Sequence, residues 1–240
     1  MPKSPIPGAR RRNARGEGAR LAGEIVAGAE ALIERTGSDE AVTLRSVARE
    51  VGIAAPSIYA HFADRDAILW AVVNDVFDQV RRRIEGATEG VTEPVARLLV
   101  GCRAYVAFGL ENRALYRVLF ARQFPRAGGS GPTLGAPTVL LDDRFPSVGG
   151  EAFALLVDSI ERCVAAGRST STDPFADATS VWVALHGMVS LWSTVCDFPW
   201  PPDADAFVAR LVVPLARVQG PADPAAPGSA PARAGTSAGA

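Results

Sequence analysis

Histidine and cysteine are scarce in this chain of 240 residues, with two of the first and three of the second, and each scarcity removes a class of chemistry. Neither His61 nor His186 sits in a His-Glu-x-x-His or comparable zinc pattern. Cys102, Cys163 and Cys196 have no metal or redox spacing. Each falls in an apolar helical pattern and is expected to be a small buried hydrophobe in a reducing compartment, the cytoplasm. No apolar run is of membrane-spanning length without charge or proline, so no membrane partner is expected. The basic residues near the N-terminus are not followed by an apolar core, which argues against a secretory signal. There is no internal repeat, no strand-like alternation and no Gly-rich phosphate loop after a strand. The one close carboxylate pair, Asp142-Asp143, lies in a Gly- and Pro-rich stretch and reads as a solvated turn. The expectation is therefore no catalytic residue, no metal site and no cofactor.

The formal net charge is −1, which on average does not suggest a nucleic-acid binder. Its distribution does. Lys3, Arg10, Arg11, Arg12, Arg15 and Arg20 crowd the N-terminus, with Glu17 the one acid among them. Residues 1–15 are expected to be a disordered basic arm reaching phosphate or minor groove, the alternative being an ordinary solvated tail.

Helical periodicity runs through the rest, and the fold class is all-α. A first helix is expected from about Glu17 to Arg35. Leu44, Val47, Ala48 and Val51 then form one apolar stripe, with Thr43 placed to cap it and Gly52 placed to end it. Pro56 suits the first turn of a third helix whose inward residues are Ile58 and Phe62. Asp64 caps a fourth helix that carries its stripe from Ile68 through Val72, Val76 and Val80 to Ile84. Pro94 opens a fifth helix with Leu98, Cys102, Tyr105 and Val106 inward. Another follows over about Arg113–Arg122. Phe124–Ser147 reads as a long loop, functional or disordered. A helix over about Gly149–Ala166 comes next. The helix from Pro174 to about Cys196 is apolar almost all round and must be buried on most sides. A last helix carries Phe207, Leu211 and Leu215. From residue 219 to 240 the chain is a flexible tail of Pro, Ala, Gly and Ser.

The stretch Thr43–Phe62, followed by Ala63-Asp-Arg-Asp-Ala-Ile-Leu69, organises the whole. It is a helix-turn-helix pattern, and it resembles the N-terminal domain of TetR-type (tetracycline-repressor-like) transcriptional regulators. The resemblance is carried by Thr43, Val47-Ala48, Gly52-Ile53, Tyr59-Ala60-His61-Phe62 and Arg65. Ala54 departs from it, because a Ser or Thr cap usually opens the third helix. A second, shorter resemblance is the Trp182, His186-Gly187 pattern of a C-terminal domain found in some of these regulators.

These resemblances imply a homodimer that binds a double-stranded, pseudo-palindromic DNA operator and is released by a small-molecule effector, most simply a repressor. They imply a DNA-binding domain over 16–76 and a ligand-binding and dimerisation domain over 77–218. Thr43 offers a hydroxyl and a helix N-terminus to a phosphate, and Arg45 lies on the outer face of the second helix with Arg49. Tyr59, His61 and Arg65 are the positions where family members touch phosphates. The start of the third helix presents Ala55, Pro56 and Ser57, none a long bidentate donor, so base reading would rest on Ser57, Tyr59, thymine methyls and DNA shape. The ligand pocket is expected between the fourth, fifth and Trp182–His186 helices, lined by Tyr105, Phe108, Phe120, Trp182 and His186. Two other readings compete. One is a carrier or small helical enzyme that kept the fold without operator binding; the other is a DNA-binding protein whose second half is filled by side chains.

Overall fold

A computed structural model describes residues 17–121 and 149–219 of the chain. Among these the backbone forms eight α-helices: α1 Glu17–Thr36, α2 Leu44–Val51, α3 Arg65–Thr88, α4 Pro94–Glu111, α5 Arg113–Ala121, α6 Gly150–Ala165, α7 Pro174–Thr194 and α8 Ala204–Leu215. Two 3₁₀ segments, Asp39–Ala41 and Ala55–Ala60, complete the set. The described residues contain no strand beyond a single antiparallel bridge between Ser169 and Val218. No helix among them is long and apolar enough to cross a membrane. The basic arm, the Phe124–Ser147 loop with Asp142-Asp143, and the tail beyond Gln219 lie outside the described residues.

Polar caps set where the helices begin. Asp64 accepts the Ala67 N–H at 2.8 Å to start α3, Asp173 accepts that of Ala176 at 3.0 Å to start α7, and Asp203 accepts that of Ala206 at 2.9 Å to start α8. Each satisfies a backbone donor that the helix itself leaves open and places negative charge at the positive end of the helix dipole. Glu93 does the same for α4, where Pro94 occupies the first turn at no cost in hydrogen bonds.

The apolar stripes meet in two cores. The first joins Ile25, Ile33, Val47, Ile58, Leu69 and Val73 from the N-terminal helices with Leu115 and Leu119 from α5. The second joins Leu98, Cys102, Ile160, Val181, Leu185 and Val212 from α4, α6, α7 and α8. Helix α3 runs alongside both halves. Its C-terminal part lies on α4 so closely that a side chain at Gly101 would stand 3.5 Å from Ile84 and Thr88.

Two expectations change. The third helix is a 3₁₀ segment. Ala54 provides no side-chain cap, and the backbone closes i→i+3 instead, Ser57 N–H to Ala54 at 2.8 Å and His61 N–H to Ile58 at 2.8 Å. Cys196 is exposed, since α7 stops at Thr194 and leaves it in the irregular run leading to Pro199, whereas Cys102 and Cys163 are buried as expected. Helix α7 leaves Val183 58% and Leu191 51% exposed, apolar surface that the other described residues of the chain do not cover.

Glu30 carries the least comfortable charge in the fold. Gln79 donates to its Oε2 at 3.1 Å and to Asp75 at 2.8 Å, while Oε1 is buried without a partner. Burial, helped by the neighbouring charges of Asp75 and Glu34, raises its pKa from 4.5 to about 7. The folded chain therefore holds this proton more tightly than the unfolded chain does. The stabilising contribution is complete below about pH 4.5 and is lost as pH rises to about 7. Glu30→Gln should flatten that part of the stability–pH curve and stabilise the protein at pH 8 by on the order of 1–2 kcal/mol, as read from urea unfolding.

Close packing makes a second prediction. A Cβ at Gly109 would lie 2.6 Å from a Val189 methyl and 2.9 Å from the Tyr116 ring, where α4 crosses α7 and α5. Gly109→Ala should cost about 1–3 kcal/mol in urea unfolding despite the better helix propensity of alanine.

Candidate nucleic-acid interface and ligand cavity

Thr43 and Ser46 close the start of α2 reciprocally. The Thr43 hydroxyl accepts the Ser46 N–H at 3.1 Å, and the Ser46 hydroxyl accepts the Thr43 N–H at 2.8 Å. This is a capping box in which serine takes the place usually held by Glu or Gln. Gly52, at φ 71°, ends α2 in the left-handed region and turns the chain into the 3₁₀ segment. Ile58, fully buried, anchors that segment to the first core.

The remaining side chains of this region sort by exposure. Tyr59 is 64% exposed, unusual for a large aromatic. Arg45, Arg49, Thr43 and Pro56 are exposed as well, and Ser57 is half-buried. Ala55 is partly buried against the first core, which limits its reach outward. His61 is half-buried and stands beside Gly18 at the start of α1.

Arg65, expected at a phosphate, has its guanidinium engaged within the head. Its Nε donates to the Val42 carbonyl at 2.7 Å, and Nη2 donates to the Asp39 carbonyl at 2.6 Å and to the Asp39 carboxylate at 3.2 Å. The guanidinium ties the first turn of α3 to the loop that leads into α2. A residue expected to hold DNA phosphate thus holds the head together. Ser46 and Asp39 were not singled out from the sequence. The Thr-x-x-Ser spacing was a usable signal for the first, while nothing local announces the second.

A cavity of about 730 Å³ lies between α3, α4, α5, α6 and α7. Tyr105, Phe120 and Trp182 are on its wall, together with Phe77, Val80, Phe153, Leu156 and Leu185. Phe108 is not on the wall. It is 5% exposed and belongs to the first core with Leu115 and Leu119, on the side of α4 turned toward α5. His186 stands behind the wall. Its Nδ1 meets the Tyr116 hydroxyl at 2.8 Å, and that hydroxyl meets the Tyr105 hydroxyl at 2.8 Å. Its Nε2 is 3.4 Å from the Ser190 hydroxyl. The His186 ring stacks on Tyr116 with centroids 5.6 Å apart and lies 4.3 Å from that of Phe120.

Burial keeps these groups neutral. It lowers the His186 pKa from its ordinary value and raises that of Tyr116 far above the phenol range, with Tyr105 adding to the second effect. Tyr105 is pushed up to about 12, again chiefly by burial, as is the Cys102 thiol. Among the described residues there is no cluster of three or more side chains able to hold a metal ion. Tyr116, Phe77 and Phe153 were missed as part of this site, because each also reads as an ordinary core residue of its own helix.

A cap-stabilised helix-turn-helix head joined by one long helix to a helical, cavity-bearing half defines a class of one-component regulator. Comparison with known proteins identifies the family. Residues 25–72 match the bacterial regulatory proteins of the tetR family, and residues 98–215 match the tetracyclin repressor-like C-terminal domain. The chain is 33% identical over 84 residues to the HTH-type transcriptional regulator HbdR of Aromatoleum sp. (strain CIB), an alignment spanning 35% of this chain and 36% of that protein. A protein of unknown function from Rhodococcus sp. RHA1 superposes with a TM-score of 0.65 at 26% identity, covering 82% of this chain and 94% of that one. A tetR-family regulatory protein from Rhodococcus RHA1 superposes with a TM-score of 0.55 at 21% identity, covering 85% and 99% of the two chains, which shows the shared fold. The chain belongs to the TetR family of transcriptional regulators.

The Arg65 geometry gives a prediction that separates holding from reading. Arg65→Ala removes the donor to the Val42 carbonyl and both Nη2 bonds to Asp39, and should destabilise the protein by about 1–3 kcal/mol in urea unfolding. Arg65→Lys should recover only part of the loss, since an ammonium cannot present the planar fork that reaches Val42 and Asp39 together. Full stability in Arg65→Ala would show that the clamp contributes nothing.

Proposed function

We propose that the protein is a homodimeric, sequence-specific DNA-binding repressor whose operator affinity falls when a small molecule occupies the α3–α7 cavity. The observation that carries this reading is the course of α3. Its first residue, Arg65, clamps the helix-turn-helix, and Phe77, Val80 and Ile84 further along the same helix line the cavity. A ligand that displaces those side chains acts on the head through a single rigid element.

In this reading the DNA-binding domain spans 16–76 and the effector and dimerisation domain 77–218, with the Trp182 and His186-Gly187 segment marking the subtype of the second half. Arg45, Thr43, Tyr59 and His61 position the head on phosphates, and Ser57, with Pro56 and Tyr59, meets base edges. The apolar side chains that α7 leaves exposed, Val183 and Leu191 among them, support a two-fold interface built from α7 and α8. A carrier without operator binding would have no need to present Tyr59 so fully to solvent.

Selection of DNA fragments by the purified chain tests the reading. A pseudo-palindromic site should emerge with half-sites about one helical turn apart. Tyr59→Ala should weaken binding to that site by about tenfold or more while leaving the melting temperature unchanged. Recovery of no enriched sequence, with the protein folded, would contradict the proposal.

A further inference from the structure

Resting on the reading of the cavity as the effector site, we infer that the effector is an uncharged, largely aromatic molecule bearing a hydroxyl or carbonyl group that hydrogen-bonds Tyr105. Three features of the cavity carry this.

The first is the absence of charge on its described wall. The lining residues include no Lys, Arg, Asp, Glu or His. The wall groups with titratable protons, Tyr105 and Cys102, are both uncharged at neutral pH. Arg81, next along the chain from Val80, is already engaged by Asp78, Glu85 and Glu151. A carboxylate, phosphate or ammonium group placed here would lose its hydration without gaining a counter-charge from the described wall, which costs far more than apolar contact returns.

The second feature is the shape given by the aromatic rings. Phe77 meets Phe120 edge-on at 6.1 Å and 87°, Phe153 meets Trp182 at 6.2 Å and 74°, and Phe153 meets Phe175 at 5.6 Å and 80°. These rings come from α3, α5, α6 and α7 and stand nearly perpendicular to one another in pairs. Such a wall offers both faces and edges, the two surfaces against which a flat ring packs well.

The third is the polarity of the wall. The hydroxyls of Ser159 and Thr179 donate to carbonyls of their own helix, Leu155 at 2.7 Å and Phe175 at 2.8 Å. Tyr105 differs, because its hydroxyl, which also accepts from the Trp182 indole, heads the chain through Tyr116 to His186 and Ser190. A neutral imidazole has one donor and one acceptor nitrogen, and exchanging them reverses every bond in the chain. With Nδ1 accepting, the Tyr105 oxygen keeps one lone pair, besides the one turned to Trp182, to accept from a ligand hydroxyl. With Nδ1 donating, the Tyr105 proton is free for a ligand carbonyl. The same three residues therefore serve either neutral group, and the far end of the chain lies on α7.

The test uses three probes with one ring system: 2-naphthol, 2-naphthoate and naphthalene, titrated into the full chain and followed by thermal stabilisation and calorimetry. The expected result is that 2-naphthol binds at least about tenfold more tightly than 2-naphthoate. Tyr105→Phe, which keeps the ring and removes only the hydroxyl, should narrow the advantage of 2-naphthol over naphthalene by about tenfold. Leu156→Trp, or Ala152→Leu if that variant does not fold, should abolish binding of all three by filling the cavity. Binding of 2-naphthoate as tight as that of 2-naphthol, and blocked by the filling variant, overturns the chemical class and keeps the cavity as the site. An unreduced 2-naphthol advantage in Tyr105→Phe overturns the role of Tyr105. Binding that the filling variant does not affect, or no binding of any probe, overturns both the class and the site.

Discussion

Helix α3 has to satisfy two environments at once, and the rest of the molecule is arranged around that constraint. Ile68, Leu69, Val72, Val73 and Val76 fix its first half in the core of the head. Phe77, Val80 and Ile84 then border the cavity, and Ile84 and Thr88 sit against Gly101 of α4. A continuous hydrogen-bonded helix does not bend locally without losing bonds or packing, and the described chain has no proline inside α3 to ease a kink. Displacement at the cavity end is therefore transmitted to the Arg65 end rather than absorbed between them. Packed interiors shift between discrete arrangements rather than deforming smoothly, which favours a two-state response.

Within the head, the 3₁₀ segment is held by few interactions of high individual consequence. It is six residues long, with no side-chain cap and one fully buried anchor, Ile58. Such a segment cannot position itself. It relies on the Thr43–Ser46 box, on Gly52 in a conformation other residues adopt with strain, and on the Arg65 fork that locks the loop before α2 to the start of α3. This gives a physical reason for an arginine at that place even where no phosphate is near. Tyr59 is a large aromatic side chain that the head leaves to solvent.

The helix starts were legible in the sequence because capping is local chemistry. Thr43, Asp64, Pro94 and Asp173 each announce a helix through groups within a few residues, and Gly52 announces the turn by the same logic. The 3₁₀ character of Ala55–Ala60 was foreshadowed by Ala54 but needed the missing cap to be weighed against the apolar pattern of Ile58 and Phe62. Long-range partnerships were hidden. Nothing in the residues around Arg65 points to the carbonyls of Asp39 and Val42, and nothing in the stripes of α3, α5 and α6 shows that Phe77, Tyr116 and Phe153 converge. Phe108 shows the converse: an aromatic on α4, the helix of Tyr105, turned to the other core. Periodicity tells which face of a helix is inward, not which of two interiors it meets.

The central claim is that occupancy of the cavity moves the heads through α3. Its most direct test is a distance between the two heads of the proposed dimer, measured by pulsed electron spin resonance. A nitroxide at Arg49→Cys on exposed α2, in a Cys196→Ser background that removes the exposed native thiol, reports it. Saturation with 2-naphthol should shift the inter-label distance by at least about 2 Å and weaken operator binding in the same samples. An unchanged distance accompanied by undiminished operator release would contradict the account, because release would then proceed without the motion of α3.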